Sequence, residues 1–500
     1  MSADGCAGEA AAEMTTADRA APDALAQILA EFSRICEIPH PSMAEQPLSH
    51  YLLSRLLAHT DHVRQDRFGN LMAFIPPKNA TADAPVVILQ AHMDMVVAGN
   101  VIPEQAKIVA KQNDDWLCSD GRTSLGADNG IGLAVILYLL KREDIVHGPL
   151  QILFTVCEEQ GLKGARSIPA AFLRNARYLI NLDGFHADTA LTGCKSGLRE
   201  TMWRNTGRLA LPSDMSAYRL EIGGFQGGHS GEDIGLGRCN AIRMLAALLL
   251  DLQACSAGIA VSSFWGGTGF NVIPACCSAE VVVKKEKAAA FVATLLEAFR
   301  LRRAVYNTSD SEGTLKATEI PCPSECWSPS AQQDILRALT SLADGVMEKG
   351  GNAVSASCNL GRVYEVDGRF YIEDMLRCDT SQQEQTILEQ HTTVASAYGF
   401  HYHAAGYHSW NQARSNLLAE AAARVYQKQT GTSIQLKKAQ VGVEPAFFQE
   451  KAPHLQMICL GADIVDAHSV KERVNCQSIL RLSNLLDGIL YEIARMKNKN

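Results

Sequence analysis

Apolar runs alternate with polar segments along most of the chain, and this pattern predicts the order of strands and helices. Residues 86–91, 150–156 and 178–182 form short apolar runs, which are typical of strands buried between layers of helices. Longer segments predict helices, among them 48–57 and 133–140. Strands and helices that alternate in this way predict an α/β fold.

The pattern also predicts two domains, one of which interrupts the other. One discontinuous domain, with a mixed sheet covered by helices, is predicted from residues 21–195 and 406–500, because both segments contain apolar runs typical of buried strands. Residues 196–405 are interpreted as an inserted two-part α/β domain, since this length fits one domain. Residues 1–20 are rich in Ala, Gly and Thr and predict a flexible tail, after which Asp23 is expected to cap the first helix.

Composition narrows the classes of function. The net charge is −8, from 46 basic and 54 acidic residues, and it indicates no general affinity for nucleic acid. The apolar content of 47% and charged content of 20% are those of a soluble globular enzyme, and no apolar run reaches the length of a membrane span. The 15 cysteines are scattered without paired C-x-x-C sets. They predict buried thiols in a reducing compartment, by default the cytoplasm.

Acidic residues and histidines follow the apolar runs where the strands are predicted to end. His92 and Asp94 would point to the same side of the first strand end, Glu158-Glu159 follows the second, and Asp183 follows the third. In an α/β sheet such ends collect at one edge, where ligands bind. Each feature alone also has a plainer interpretation as a solvated strand end.

Five of these and later residues carry the donor types that divalent metal ions bind: His92, Asp128, Glu159, Asp183 and His468. Two zinc ions are expected, with manganese and cobalt as alternatives. Two ions about 3.5–4 Å apart need a shared carboxylate, and Asp128 is the candidate bridge. One ion would bind His92 and Asp183, the other Glu159 and His468. The alternative for Asp128 is a helix cap, and the two roles are compatible.

Two acids remain beside this set. Glu158 is the candidate general base, which takes a proton from a water between the ions and later gives one to the leaving amine. That water would ionise near neutral pH, because bound zinc lowers its pKa to about 7. Asp94 is expected to hold the His92 ring in place.

These motifs together resemble the M20 metallopeptidases. The resemblance rests on His92-Met93-Asp94, Gly126-Ala127-Asp128-Asn129-Gly130, Glu158-Glu159-Gln160-Gly161, Asp183 and Gly227-Gly228-His229-Ser230-Gly231. Within that family, the aminoacyl-histidine dipeptidase subfamily is similar in Gly266-Gly267-Thr268, Asn271, Ile273-Pro274 and Ala467-His468-Ser469. The resemblance covers the chain from about residue 24 to its end.

The resemblance implies a catalytic domain with two zinc ions, a lid domain formed by the insert, and hydrolysis of unblocked dipeptides, often with a C-terminal histidine. It implies the ligands, the bridge, the base and the supporting acid named above. It also implies three substrate-binding residues in the insert: His229, which would stabilise the carbonyl oxyanion, Asn271 and Arg377. An arginine there can bind a substrate carboxylate with two hydrogen bonds, whereas the alternative for Arg377 is a solvated surface position.

The chain departs from the family pattern in three places. Ala275 stands where a basic residue is usual, Val470 where a proline is usual, and Glu444 precedes Pro445 instead of Cys-Gly. These changes concern the preferred substrate side chains and leave the metal set intact. A tripeptide aminopeptidase or an N-acyl amino acid deacylase of the same fold stays open, as does a non-catalytic binding protein. The expected partner is a small peptide, without nucleic acid or membrane, and a homodimer is left open.

Overall fold

The structure, a computed structural model, describes residues 16–254, 258–306, 309–351, 353–411 and 415–496. Contacts between these residues group them into two units. Unit 1 lies within Met1–Gly193, Gln412–Lys438 and Val443–Asn500, and unit 2 within Cys194–Asn411 and Ala439–Gly442. The predicted domain boundaries and the function of the insert as a lid stay predictions.

The strands of unit 1 form a mixed main sheet and a small antiparallel sheet. Their bounds are Val63–Gln65, Leu71–Ile75, Val87–His92, Lys111–Asn113, Trp116–Cys118, Leu150–Thr155, Tyr178–Gly184, Thr189–Cys194, Gln435–Ala439, Gln456–Gly461, Ile464–Val465 and Arg473–Asn475. The order across the main sheet is 63–65, 71–75, 150–155, 87–92, 178–184, 456–461 and 189–194. The three strands predicted from apolar runs lie side by side in its centre and pair in parallel. Their carboxyl ends therefore share one edge of the sheet.

The helices of unit 1 pack against this sheet and against one another. Their bounds are Thr16–Cys36, Gln46–Leu57, Ala127–Lys141, Lys163–Ser167, Ala170–Leu173, Leu417–Thr430, Pro445–Lys451 and Cys476–Ala494. Ala127–Lys141 is buried along almost its whole length, because its sequence is apolar on every side, and it contacts Val87–His92.

The prediction for the start of the first helix was wrong. The helix begins at Thr16, and Asp23 lies inside it instead of capping it. The Ala-rich segment 17–21 has a high helix propensity and extends the helix toward the N-terminus. Residues 16–20 of the predicted tail are therefore helical, and the first 15 residues lie outside the described part of the chain.

Unit 2 contains one large antiparallel sheet and two two-stranded sheets, 208–210 with 325–327 and 228–229 with 272–273. Its strands are Gly197–Asn205, Arg208–Ala210, Met215–Gly223, Gly228–His229, Ala260–Gly266, Val272–Ile273, Cys277–Lys284, Thr314–Ile320, Glu325–Trp327, Gly345–Gly350, Ala353–Val366, Arg369–Cys378, His401–Tyr407 and Trp410–Asn411. Its longer helices are Ala241–Ala254, Ala288–Arg303, Pro329–Ser341 and Ser381–Ala397. The order across the sheet is 314–320, 215–223, 277–284, 260–266, 353–366, 369–378, 197–205 and 401–407. The two predicted halves thus share a sheet, joined where Gly266 pairs with Val363.

Each unit has a hydrophobic core of its own. Phe32, Phe154 and Ile489 are fully buried in the core of unit 1, and Phe264 and Phe370 in that of unit 2. Among the described residues, no helix is both long and apolar enough to cross a membrane. Sheets covered by helices in both units confirm the predicted α/β fold class.

Candidate metal centre

The five predicted ligands converge at the carboxyl edge of the main sheet in unit 1. His92, Glu159 and Asp183 lie at or just after the ends of the three central parallel strands. Asp128 lies in the first turn of the helix beside them, and His468 lies in a loop of the small antiparallel sheet. The local sequence explains the placement, because an ionisable side chain is costly to bury among apolar side chains and is accommodated at the end of such a strand.

The carboxylate of Asp128 lies between the two histidines. Its Oδ1 is 3.0 Å from His92 Nε2, and its Oδ2 is 3.1 Å from His468 Nε2. Each histidine also meets a second carboxylate: His92 Nε2 is 3.3 Å from Asp183 Oδ1, and His468 Nε2 is 2.8 Å from Glu159 Oε1. Two groups of possible ligand atoms therefore share Asp128, and within each group the atoms lie within 4.8 Å of one another.

The backbone carbonyl of Asp94 orients the His92 ring. His92 Nδ1 lies 2.9 Å from this carbonyl oxygen, while the Asp94 carboxylate is 3.6 Å away. Because Nδ1 contacts the carbonyl, Nε2 is the nitrogen that faces the carboxylates and would be the one to bind a cation. The sequence-based expectation assigned this orienting contact to the carboxylate.

The Asp94 carboxylate holds the Glu158-Glu159 backbone. Its Oδ1 accepts the N–H of Glu158 at 2.9 Å, and its Oδ2 accepts the N–H of Glu159 at 3.2 Å. Ser42 donates to Oδ2 at 2.7 Å. Burial acts to raise the pKa of Asp94, but the nearby His92 ring and hydrogen bonds from Ser42 and Glu158 outweigh burial and lower it. Asp94 therefore stays ionised as a fixed anchor for two neighbouring acids.

The loop that presents Glu158 is strained and held in place by a second buried acid. Cys157 has a φ of +53°, a conformation that side chains other than glycine rarely adopt. Glu45, which is 6% exposed, accepts the N–H of Cys157 at 2.9 Å and its thiol at 3.2 Å. Glu158 itself forms a third close group with His92 and Glu159. The sequence analysis missed Glu45, which carries no motif.

Hydrogen bonds and neighbouring charges set the pKa values of the central pair and of His468. Burial acts to raise the pKa of Asp128, but hydrogen bonds with His468 and His92 outweigh burial and lower it. Burial acts to lower the pKa of His92, but the Asp183 charge and hydrogen bonds to the acids raise it well above its usual value. Hydrogen bonds to Asp128 and Glu159 raise the pKa of His468 to about 10.

In the other acids, the contacts with the histidines do not outweigh burial. Burial raises the pKa of Asp183 to about 8, raises that of Glu158 well above its usual value, and raises that of Glu159. The cluster therefore holds more buried carboxylates than its two imidazoles can balance. Divalent cations would supply the missing positive charge, and imidazole nitrogens with carboxylate oxygens are donors that Zn²⁺ prefers. The residues present thus fit the predicted ions.

A buried polar network lies among the same strands. Glu444 accepts hydrogen bonds from Gln90 and, at 2.9 Å, from Thr155, and Gln90 accepts one from Asn181 at 2.6 Å. All four side chains are fully buried, and burial raises the pKa of Glu444 to about 7. Gln90 and Asn181 interrupt apolar runs in the sequence, and this interruption was the signal that could have revealed the network.

In unit 2, His229 and Asn271 lie on neighbouring segments. His229 pairs with Val272 in a short antiparallel ladder, and the N–H of Ser230 donates to the carbonyl of Asn271 at 2.9 Å. Asn359, which the sequence analysis missed, secures this turn by donating to the carbonyls on both sides of Asn271, at 2.8 and 3.0 Å. Two of the three predicted substrate-binding residues thus belong to one locally braced structure.

Arg377 is buried close to the His229 loop. Only 5% of it is exposed, and its Nε and Nη1 have no hydrogen-bond partner. A Cβ atom on Gly231 would lie 3.3 Å from Arg377 Nε and 3.0 Å from the His229 ring, which shows how close the two side chains lie. Burial and the Arg377 charge lower the pKa of His229. A solvated surface position for Arg377 is therefore excluded.

The comparison with protein families assigns the class. The sequence matches peptidase family M20/M25/M40 over residues 88–492. The chain belongs to this peptidase family, and the family predicted from its motifs is confirmed.

Similar proteins carry more specific names. The cytosol non-specific dipeptidase of Escherichia coli (strain K12) is 28% identical over 470 residues, which cover 92% of this chain and 96% of that protein. The crystal structure of the aminoacylhistidine dipeptidase from Vibrio alginolyticus superposes with a TM-score of 0.82 at 26% identity, covering 94% of this chain and 96% of the other. A tripeptidase from Staphylococcus aureus shares the fold, with a TM-score of 0.55 at 17% identity and coverage of 94% and 99%.

Proposed function

We propose that this protein is a metal-dependent dipeptidase that hydrolyses unblocked dipeptides, including those with a C-terminal histidine. The observation that carries the proposal is Asp128, whose two oxygens each face a histidine that is paired with a further carboxylate. The similarity to the E. coli and V. alginolyticus dipeptidases, over nearly the full length of each chain, supports the same activity.

Two divalent ions, zinc or alternatively manganese or cobalt, would be held by the five clustered residues. His92 and Asp183 would bind one ion, and Glu159 and His468 the other, with Asp128 shared between them. When bound, such ions lower the pKa of water and polarise a carbonyl group.

Glu158 is the proposed general base. Its carboxylate would accept a proton from the attacking water and then donate it to the nitrogen of the leaving amine. Burial raises its pKa well above the usual value, and a raised pKa makes a carboxylate a stronger base. Asp94 would fix this side chain by holding its backbone N–H.

Three residues of unit 2 are proposed to contact the substrate. Arg377 has two buried, unpartnered nitrogen atoms, which suit the terminal carboxylate of a dipeptide. His229 Nδ1 accepts the N–H of Gly231 at 3.3 Å, so its neutral ring carries the proton on Nε2 and can donate it to a developing oxyanion. Asn271 would supply a further polar contact from its braced turn.

The test of this function is Glu158→Ala assayed with a dipeptide panel. We expect kcat to fall by roughly 10²–10⁴-fold, while metal content measured by elemental analysis stays at two ions per chain. A matched control is Glu104→Ala, an exposed acid on a short helical turn, which should retain full activity. Retained turnover in Glu158→Ala would remove this residue from its proposed role.

The same panel separates the alternative activities. It should contain dipeptides with and without a C-terminal histidine, tripeptides and N-acyl amino acids. Preference for tripeptides would indicate an aminopeptidase, and hydrolysis of N-acyl amino acids would indicate a deacylase. A cytoplasmic location is proposed from the reducing-type cysteine pattern and from the name of the E. coli relative, and a homodimer stays open.

A further inference from the structure

Glu472 is a buried acid whose carboxylate is surrounded by backbone N–H groups. It is 2% exposed, and its Oε2 accepts the N–H of Leu125 at 2.8 Å and that of Gly126 at 2.9 Å. Its Oε1 accepts the N–H of Asp128 at 3.2 Å. A buried carboxyl group is costly unless its oxygens are hydrogen-bonded, and three backbone N–H groups supply these bonds in the described part of the chain.

The helix that carries Asp128 needs this outside partner. The first N–H groups of a helix have no partner within it, and a side chain at the N-cap normally accepts one of them. Here the N-cap is Gly126, which has no side chain to do so. Asp128 and Asn129 also depart from helical backbone angles, so the first turn is irregular. Glu472, 344 residues away from Asp128, takes over the function of a cap.

The segment that contains Glu472 also supplies a candidate ligand. His468 lies four positions earlier, and its Nε2 is 3.1 Å from Asp128 Oδ2. The N–H of Glu472 donates to the carbonyl of Ser469 at 3.1 Å, which closes the turn between them. One short segment therefore contacts Asp128 at both ends, through His468 at its carboxylate and through Glu472 at its backbone.

Strand pairing fixes the position of Glu472. The next residues, Arg473–Asn475, pair in antiparallel register with Trp116–Cys118. The N–H of Cys476 then donates to the carbonyl of Asp115 at 2.7 Å. Glu472 is thus held against the loop that leads to Asp128 by ordinary sheet hydrogen bonds, and its own three contacts set the final position of that loop.

We infer that Glu472 is a positioning residue for the metal centre, which sets where the shared carboxylate of Asp128 lies relative to His468. The inference rests on the proposed function, because it assumes that Asp128 is a metal ligand. Residues that orient metal ligands typically contribute about 10–100-fold in metal affinity or activity when they are replaced.

The experiment uses Glu472→Gln in the full-length chain. Glutamine has nearly the same shape, but its amide nitrogen can only donate. One side of the contact set, either Leu125 and Gly126 or Asp128, would then face a donor instead of an acceptor. We expect Zn²⁺ affinity, measured by competition with a chelator, to weaken by about 10–100-fold. At saturating Zn²⁺ we expect kcat to fall while KM for a dipeptide stays close to wild type.

Asp310→Asn is the matched control. Asp310 is a buried acid in unit 2, 1% exposed, that accepts the N–H groups of Gln226 and Cys239 at 3.0 and 3.1 Å. Its replacement removes the same type of contact away from the candidate ligands. It should lower the unfolding temperature to a similar extent while leaving Zn²⁺ affinity unchanged.

The outcomes are distinct. If Glu472→Gln lowers only the unfolding temperature, with Zn²⁺ affinity and kcat as in wild type, Glu472 is merely structural and the inference is overturned. If the wild type hydrolyses no dipeptide but Glu472→Gln still binds Zn²⁺ more weakly, the proposed function fails and the inference stands. If Glu472→Gln does not fold, Glu472→Asp replaces it. This variant keeps the charge but is too short to reach all three N–H groups, so wild-type affinity would again overturn the inference.

Discussion

Asp374 in unit 2 is a buried acid without a balancing partner. It is 0% exposed, and neither of its side-chain oxygens has a hydrogen-bond partner of good geometry. Its neighbours Glu200 and His391 satisfy one another, since His391 Nδ1 and Glu200 Oε2 are 2.7 Å apart and Tyr402 also donates to Glu200. A fully buried carboxyl group without a hydrogen-bond partner, beside a second acid, favours its protonated form.

Because of this residue, the free energy of unfolding is expected to decrease as the pH rises. Burial raises the pKa of Asp374 well above its usual range, and the charge of Glu200 adds to this effect while His391 opposes it. The folded state keeps a proton that the unfolded chain releases above about pH 4. Its contribution is therefore complete at low pH and is lost as pH rises toward the folded-state pKa.

Asp374→Asn tests this expectation, because asparagine resembles the protonated acid and cannot ionise. At pH 8 we expect the variant to be more stable than wild type, by on the order of 1 kcal/mol or more. The difference should shrink toward pH 5. Urea unfolding at the two pH values measures it, and a variant that is less stable at pH 8 would contradict the assignment. Asp310→Asn serves as control, since loss of two backbone contacts should destabilise the protein at both pH values.

The sequence predicted those site residues whose function follows from the residue type together with its position at a strand end or in a motif. His92 and Asp183 were predicted as ligands because an ionisable residue at the end of an apolar strand is costly to bury unless another group compensates its charge. Asp128 and His468 came from short motifs at predicted junctions and loops. The positioning function of Glu472 was not predicted, because it depends on a hydrogen bond to Asp128, 344 residues away, and no local sequence pattern indicates that contact.

At the level of elements, the start of helix Ala127–Lys141 depends on one glycine. Gly126 has a φ of +69°, which L-residues with a side chain adopt only at a cost. A Cβ atom there would lie 2.9 Å from Met95 Sδ, and Met95 is itself buried at 3% exposure. Both the backbone angle and the lack of space therefore require glycine at the junction that positions Asp128.

We expect Gly126→Ala to destabilise the protein through strain and crowding together. The left-handed angle costs about 1–2 kcal/mol, and crowding in a packed site adds about 1–3 kcal/mol. Gly121→Ala separates the two effects, because Gly121 has a φ of +86° but no atom within 4 Å of its Cβ position. Denaturant unfolding should show a larger loss for Gly126→Ala, together with weaker Zn²⁺ binding. Equal losses of unfolding free energy in both variants would mean that Met95 moves without destabilising the protein, and would contradict the contribution from crowding.

Elements with strong local signals were predicted correctly, and those that depend on tertiary contacts were not. Apolar segments on both sides of Gly69-Asn70 are typical of a hairpin, and Val63–Gln65 does pair in antiparallel fashion with Leu71–Ile75. Residues 441–445 are typical of a turn in sequence, but no local pattern indicates the helix Pro445–Lys451 that follows. This helix is only 7 residues long, and four of its residues are buried, so packing rather than periodicity stabilises it.

At the scale of the whole molecule, each unit carries its own core and only unit 1 carries the candidate ligands. The two cores share no residue, and each contains buried strands and helices sufficient for a domain. A chain built in this way need not unfold in one step, because two domains can respond separately to a ligand that binds only one of them.

Metal removal should therefore destabilise the two units unequally. Without cations, the clustered carboxylates of unit 1 lack the positive charge that the two imidazoles alone do not supply. An ion present at 100 times its dissociation constant adds about 2.7 kcal/mol to the stability of the state that binds it. Hydrogen exchange on the chelated protein should show faster exchange in Val87–His92 and Ala127–Lys141 than on the zinc-loaded protein. The unit 2 strands Met215–Gly223 and Cys277–Lys284 should exchange at unchanged rates, so the same acceleration there would show that the chain unfolds as one cooperative body.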